Sequence, residues 1–303
     1  MENKKRFFAF GCSLTTYAWP TWADIVGHSL VQQGYEYHNL AVAGAGNVYI
    51  HTAITKAIMD YNITQDDIVM ILWSSWTRED RFLDYGVCPD HSLFWSTQGN
   101  MLNSTFYDEQ FINKYWSIEH DIIKNVNAIV SVNEMIDIDF QGHIMAVELA
   151  WYDEDDEEQN YEEILLHEHM QDMSLKNIFI EHMPDNEEQI DIDYVNRHDG
   201  HPQAKDAMEY VNKYIVPQTD ITITDETVQF VNKWQKIMDD IKLDIDHPDF
   251  HCRDRFDRIY DKLFNEYELE RSTILTTHAQ DLWSCANMHS ILTDFKRYCN
   301  KKT

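Results

Sequence analysis

Two hydrophobic rhythms alternate along the first 216 residues. Short runs of consecutive apolar residues are separated by longer stretches in which apolar positions recur every three or four residues. The runs predict strands over 6–10, 37–42, 68–73, 143–149 and 177–181. The spaced stretches predict helices over 22–33, 45–61 and 115–136. The run IVMILW (68–73) is apolar throughout, as a central parallel strand buried on both faces requires. Thr21 is placed to cap the first helix, with Asp24 three residues on, and Gly34 ends it. Strands alternating with helices predict an α/β domain with a parallel sheet covered on both faces, over 1–218.

Two stretches break this rhythm. Residues 76–112 are rich in aromatics, Gly, Pro and Asn, and read as an irregular insertion at the carboxyl end of the central strand, where functional surface is expected. From Thr219 a short β-like ITIT (221–224) leads into three amphipathic helical segments. In the first, Val228, Val231, Trp234, Met238 and Ile241 share a face; in the second, Phe256, Ile259, Tyr260, Leu263, Phe264 and Tyr267 do; the third covers about 279–298. These stripes predict a C-terminal α-helical module over 219–303.

Composition narrows the function classes. Acids outnumber bases 53 to 24, a formal net charge of −29, which repels phosphate backbones and argues against nucleic acid as partner. No apolar run approaches the roughly 20 residues of a membrane span. The charged start MENKKR runs into an apolar stretch too short for a leader core, so it reads as the first strand. The expectation is a chain with no signal peptide, no transmembrane segment and no membrane partner. Five cysteines (Cys12, Cys88, Cys252, Cys285, Cys299) form no CxxC pair, which suggests neither a disulfide framework nor a zinc ribbon. The run YDEDDEEQNYEE (152–163) lacks a DxDxDG loop and reads as solvated surface rather than a calcium site.

Candidate chemistry gathers at the carboxyl ends of predicted strands, where open parallel sheets place their ligands. FAFGCSLT (8–15) puts Ser13 just past the first strand. There it is either a nucleophile or the polar residue at which a strand stops; Cys12 beside it reads as a packed, inert thiol. AVAGAGN (41–47) supplies Gly44, Gly46 and Asn47, the last also readable as a helix cap. WSSWTRED (73–80) places Ser74 and Ser75 at the tip of the central strand. Asp199-Gly200-His201-Pro202 precedes the last helix of the domain. His198, Asp199 and His201 would also suit a metal, but no further cluster accompanies them, and Asp199-Gly200 also reads as a turn before a Pro-opened helix.

In this order and rough spacing, over residues 6–216, the blocks resemble those of the SGNH (GDSL-like) hydrolase superfamily. FGCSLT stands where the family has its GDS block, Gly44 matches its lone Gly, WSS stands in the place of GxND, and Asp199-Gly200-His201 in that of DxxH. The resemblance implies a three-layer α/β/α flavodoxin-like sheet and a serine esterase without metal or organic cofactor. It implies Ser13 as nucleophile, His201 as its base and Asp199 as the residue that orients the imidazole. The oxyanion hole would use the N–H groups of Ser13 and Gly44, with the third donor open between the Asn47 amide and the Ser75 hydroxyl. Three departures are visible: Cys12 replaces an Asp, Ser74-Ser75 replaces the third-block Asn, and acid and base are spaced D-x-H.

WPTWAD (19–24), AGAGN and WSSWTRED further resemble a branch of the superfamily common in phage and other viral genomes, which implies the host cytoplasm or a phage virion as location. The insertion aromatics Trp76, Phe82, Tyr85, Phe94, Trp95, Phe106 and Tyr107 would then lie near the pocket mouth, with Trp76 and Trp95 as platforms for a sugar ring. The expected substrate is an acyl ester, acetyl on a glycan or a small acyl ester. The helical tail lies outside the family core and offers a surface for a second copy of the chain or for virion proteins. Two other readings fit the same residues: a receptor-binding or structural virion component with little activity, and an O-acyltransferase.

Overall fold

The computed structural model describes residues 4–84, 93–100, 109–115, 117–143, 178–180, 201–245 and 263–279. Its centre is a parallel sheet. Strands β1 (Arg6–Phe10), β2 (Glu36–Asn39) and β3 (Ile68–Trp73) are joined by β6 (Phe140–His143), β7 (Ile178–Ile180) and β8 (Leu275–His278) in the order β7-β6-β3-β1-β2-β8. Every pairing in it is parallel. Setting β8 aside, the order is that of a flavodoxin-like sheet, in which the chain switches direction of growth between β1 and β3. The predicted three-layer α/β/α arrangement is therefore present. Phe7, Phe8, Ala9 and Phe10 of β1 and Val69, Met70 and Ile71 of β3 are fully buried, as strands covered on both faces must be.

One face of the sheet is covered by helix α1 (Trp22–Gln32) and α5 (Ala204–Tyr210). Trp22 of α1 and Tyr210 of α5 both pack on Phe140 of β6, at 6.5 and 6.4 Å between ring centroids. The opposite face carries α2 (Asn47–Tyr61) and α4 (Ile118–Met135). Asn133 of α4 accepts from Gln141 of β6 at 2.8 Å, and Gln141 in turn accepts from Trp73 Nε1 at 3.0 Å. The predicted helix over 115–136 is α4, which starts three residues later because Ser117 caps it with its side chain accepting from His120 N–H; a separate short helix, α3 (Glu109–Tyr115), precedes it.

The insertion contains an antiparallel hairpin, β4 (Arg78–Asp84) and β5 (Leu93–Asn100), that composition alone did not reveal. Its strand β4 is fastened by two carboxylates, Glu79 pairing with Lys124 of α4 at 2.7 Å and Asp80 binding the start of α2. Asp80 accepts from Gly46 N–H at 2.7 Å and from Tyr49 N–H at 2.8 Å, so it caps the first turn of α2 from a distant strand. A Cβ at Gly46 would stand 2.8 Å from Asp80 Oδ2 and 2.9 Å from Arg78 Cβ, so only glycine permits this approach. Burial pushes the Asp80 carboxyl up to about 6, against the pull of those two N–H groups.

The C-terminal segment is helical in most of its described part, but it is also built into the sheet. Helix α6 (Asp225–Ile245) packs through Phe230, Val231, Trp234 and Met238, while Val228, expected on the same stripe, is 43% exposed. Helix α7 (263–271) buries Leu263 and Tyr267 and leaves Phe264 at the surface. The ITIT stretch forms no strand; it is the lead into α6, where Thr224 and Thr227 tie that helix to Ser29 of α1. The strand lies instead at 275–278, beside β2, with Tyr37 N–H donating to Thr276 Oγ1 where the register slips. Arg271 reaches under α1 and donates to Asp24 Oδ1 at 2.9 Å, both side chains being buried. The acidic run 152–163 and the predicted helix beyond Ala279 lie outside the described residues.

Candidate active site

The loop from β1 to α1 leaves the sheet at the switch point. A tight turn follows β1, in which Cys12 C=O accepts from Thr15 and Thr16 N–H at 2.9 and 3.1 Å. Gly11 is required there, since a Cβ would collide with Thr15 Oγ1. Thr15 is the anchor of the turn: its carbonyl accepts from Thr21 Oγ1 and Asn39 Nδ2, and its hydroxyl from Trp22 Nε1. Below it Asp24 accepts from Thr21 N–H, Thr21 Oγ1, Tyr37 OH and Arg271 Nε. Ser13 therefore sits on a turn held by buried polar contacts rather than on a free loop. Cys12 is fully buried and forms no disulfide, which fits the packed thiol expected of it.

Ser13 and His201, far apart in sequence, line the same small pocket with Leu14, Tyr17, Thr21, Trp22, Pro202 and Ala207. Ser13 is 7% exposed, a group at a pocket floor rather than on open surface. The two side chains share the pocket without a hydrogen bond between them among the described contacts. The His201 loop is held from two sides. Tyr17 stacks on the imidazole at 3.9 Å and 13°, and Trp19 Nε1 donates to Pro202 C=O at 2.7 Å. From the other side, Gln235 of α6 donates to Gln203 Oε1 and accepts from Lys205 N–H, fixing the start of α5.

The other expected site residues are distributed differently. Gly44 lies on the loop after β2, at φ +76°, and that loop is laid against the end of β1 by the Val42 N–H to Gly11 C=O bond of 3.3 Å. Asn47 is 1% exposed and its amide is fully engaged: Nδ2 donates to Ser74 C=O and to Asn125 Oδ1, and Oδ1 accepts from Ser74 N–H at 2.7 Å. With both Nδ2 hydrogens used inside the protein, Asn47 is a brace between β3 and α2 and not a free oxyanion donor. Ser75 is likewise buried and its hydroxyl pairs with Thr77 Oγ1 at 3.0 Å. Trp76 is 7% exposed and its carbonyl accepts from Asn125 Nδ2, so it packs the insertion onto α4 and offers no open platform. Trp95 belongs to β5, opposite Phe82 in the register, and its side chain lies outside the described residues. Asp199 and His198 also lie outside them. Among the described residues, no three His, Cys, Asp or Glu side chains come together as a metal site requires, and no helix is long and apolar enough to cross a membrane.

Sequence reasoning missed the residues that hold this arrangement together: Tyr17, Trp19, Asp80, Asn125 and Gln235. The aromatic cluster at 17–19 was visible in the chain, but its partner at 201–202 could come only from the fold.

No family model and no curated protein matches the chain. Among solved structures it is similar to a member of the lipolytic protein G-D-S-L family from Veillonella parvula. That likeness has 10% identity and a TM-score of 0.38, and covers 70% of this chain and 98% of the other. It is also similar to BT4096, a gut microbial diltiazem-metabolizing enzyme, at 11% identity and a TM-score of 0.38 over 72% of this chain and 47% of that one. The chain thus spans about half the length of this second protein.

Proposed function

We propose that the protein is a serine hydrolase of ester bonds, with Ser13 as nucleophile and His201 as general base. The observation that carries this reading is the shared pocket: a serine on a braced turn and a histidine on a pinned loop, both at the switch point of a parallel sheet. Attack by Ser13 Oγ on an ester carbonyl would form the acyl-enzyme while His201 takes the hydroxyl proton and returns it to the leaving alcohol. Water, activated by the same imidazole, would then release the acid. In this reading Asp199 orients the imidazole, and the oxyanion is met by the N–H groups of Ser13 and Gly44 rather than by a side-chain amide. The lining of Leu14, Tyr17, Trp22, Pro202 and Ala207 suits a small uncharged acyl group, and we take acetyl as the first candidate, carried on a glycan or a small alcohol. No metal or cofactor enters the scheme.

A second reading is favoured by one observation: both amide hydrogens of Asn47 are engaged within the protein. Loss of one oxyanion donor typically costs about 10²–10³ in rate. A chain of this fold that serves mainly as a binding component, for instance in a virion, would tolerate that loss. An acyltransferase would share the acyl-enzyme and differ in its acceptor. The test is labelling of the purified protein by a fluorophosphonate, read by intact mass, beside turnover of p-nitrophenyl acetate and acetylated glycans. The expected result is one label and measurable turnover, both abolished in Ser13→Ala and turnover lost in His201→Ala. A wild type that neither labels nor turns over any ester sinks the hydrolase reading and leaves the binding one.

A further inference from the structure

We propose that Tyr17 and Trp19 are positioning residues for His201, so that the loop carrying the nucleophile also sets the plane of its base. This rests on the reading of Ser13 and His201 as nucleophile and base. The Tyr17 ring lies nearly parallel to the imidazole, 13° between planes and 3.9 Å between centroids. Trp19 meets Tyr17 edge-on at 4.6 Å and 80°, so the stack is backed by a second ring. Trp19 is 8% exposed, and its indole N–H donates to Pro202 C=O at 2.7 Å, which fastens the backbone beside His201.

Each contact removes a different freedom. The hydrogen bond to Pro202 C=O fixes where the His201 backbone sits relative to the β1–α1 loop. The face-to-face stack restricts rotation of the imidazole about its last torsion, which is broad and two-fold in a free side chain. Hydrogen bonds of an imidazole lie in its ring plane, so a partner on the ring face leaves both nitrogens able to exchange a proton. A carboxylate at 199 would choose the tautomer; the aromatic pair would choose the plane. Because Tyr17 and Ser13 belong to one loop, between β1 and α1, a shift of that loop carries nucleophile and base together. Misplacement of a catalytic group by as little as 1 Å can cost on the order of 10²-fold in rate.

The test compares Tyr17→Leu, Tyr17→Phe and Trp19→Phe with wild type by acetate-ester kinetics and by NMR of the histidine-labelled protein, the His201 signal being assigned with His201→Ala. Wild type should show the His201 ring protons moved upfield by the Tyr17 ring current. Tyr17→Leu should lose that displacement and lower kcat about 10-fold with KM within about two-fold, the loss expected of a base held less well. Tyr17→Phe, which keeps the stack, should restore both. Trp19→Phe keeps a ring edge but not the hydrogen bond, and should lower kcat less than Tyr17→Leu does. Wild-type kcat in a Tyr17→Leu protein whose ring shift is lost would overturn the positioning role, as would absence of the shift in wild type. A wild type that shows the shift but no Ser13-dependent turnover overturns the hydrolase reading, and the role of Tyr17 in it, while leaving the stack intact.

Discussion

Asn47 has two amide hydrogens and one carbonyl oxygen to place, and the folded chain places them all: on Ser74 C=O, Asn125 Oδ1 and Ser74 N–H. A residue read as a possible oxyanion donor thus closes the gap between β3 and α2. Two consequences separate these roles. Asn47→Ala should lower stability by about 2–4 kcal/mol, the loss of several buried hydrogen bonds with partners left behind, read from urea unfolding. In the fraction that remains folded, ester turnover should fall by less than about 10-fold, well short of the 10²–10³ that loss of an oxyanion donor produces. A drop of that larger size in stably folded protein would restore Asn47 to the hole. At this scale Ser13 was legible as the residue just past the first strand and His201 as one on the loop before the last helix of the domain, and the fold places both on one pocket. The use of Asn47, Ser75 and Trp76 was not, because a side chain's partners depend on neighbours far away in sequence.

Between elements, Asp80 does for the hairpin what a local cap does for a helix. Its carboxylate joins β4 to the first turn of α2, one step from the Gly44 loop. Asp80→Ala leaves two N–H groups of α2 without their acceptor and should cost about 1–2 kcal/mol, measured by thermal or urea unfolding. It should also make the hairpin the first site of limited proteolysis. If cleavage instead begins elsewhere at unchanged rate, the hairpin is held by contacts other than this carboxylate. The helices α1 and α2 were readable from periodicity and caps to within a residue or two, because their apolar faces meet the core at regular spacing. The hairpin was not readable. Its strands are mixed in polarity and pair with each other in a two-stranded sheet apart from the central one, so the alternation that a shared core imposes is not written into them.

For the molecule as a whole, the C-terminal segment matters most at a single buried ion pair. Arg271 brings its guanidinium to Asp24, which already receives Thr21 and Tyr37, and the carboxylate beside it holds the guanidinium well above its ordinary range despite the desolvation that opposes this. Arg271→Leu would leave Asp24 buried without its cation and should cost about 3–5 kcal/mol. An unfolding midpoint equal to wild type would show that this ion pair contributes nothing to the stability of the chain.

Acid should also destabilise the whole chain. Burial lowers His38 and His143 to about 4 from an ordinary 6.5, so between those values the unfolded chain takes up protons that the native chain does not. Their contribution is complete above pH 6.5 and is lost as pH falls toward 4. Asp80, raised to about 6 from 3.8, acts in the opposite sense over part of the same window, one group against two. Stability should therefore decline from pH 7 to 4.5. His38→Phe, which can keep the stack on Phe8, should reduce that decline; an unchanged pH slope would exclude His38 as its source.

By itself the sequence determined the alternation of strands and helices, the apolar centre of the sheet and the strand-end positions of the candidate chemistry. These follow from local periodicity, which each segment carries alone. Only the tertiary structure decided that 275–278 completes the sheet, that Arg271 balances Asp24, and that Tyr17 and Trp19 meet 201–202. Those are pairings across long sequence separations, and they are chosen by which buried polar groups and ring faces the folded core leaves to be satisfied.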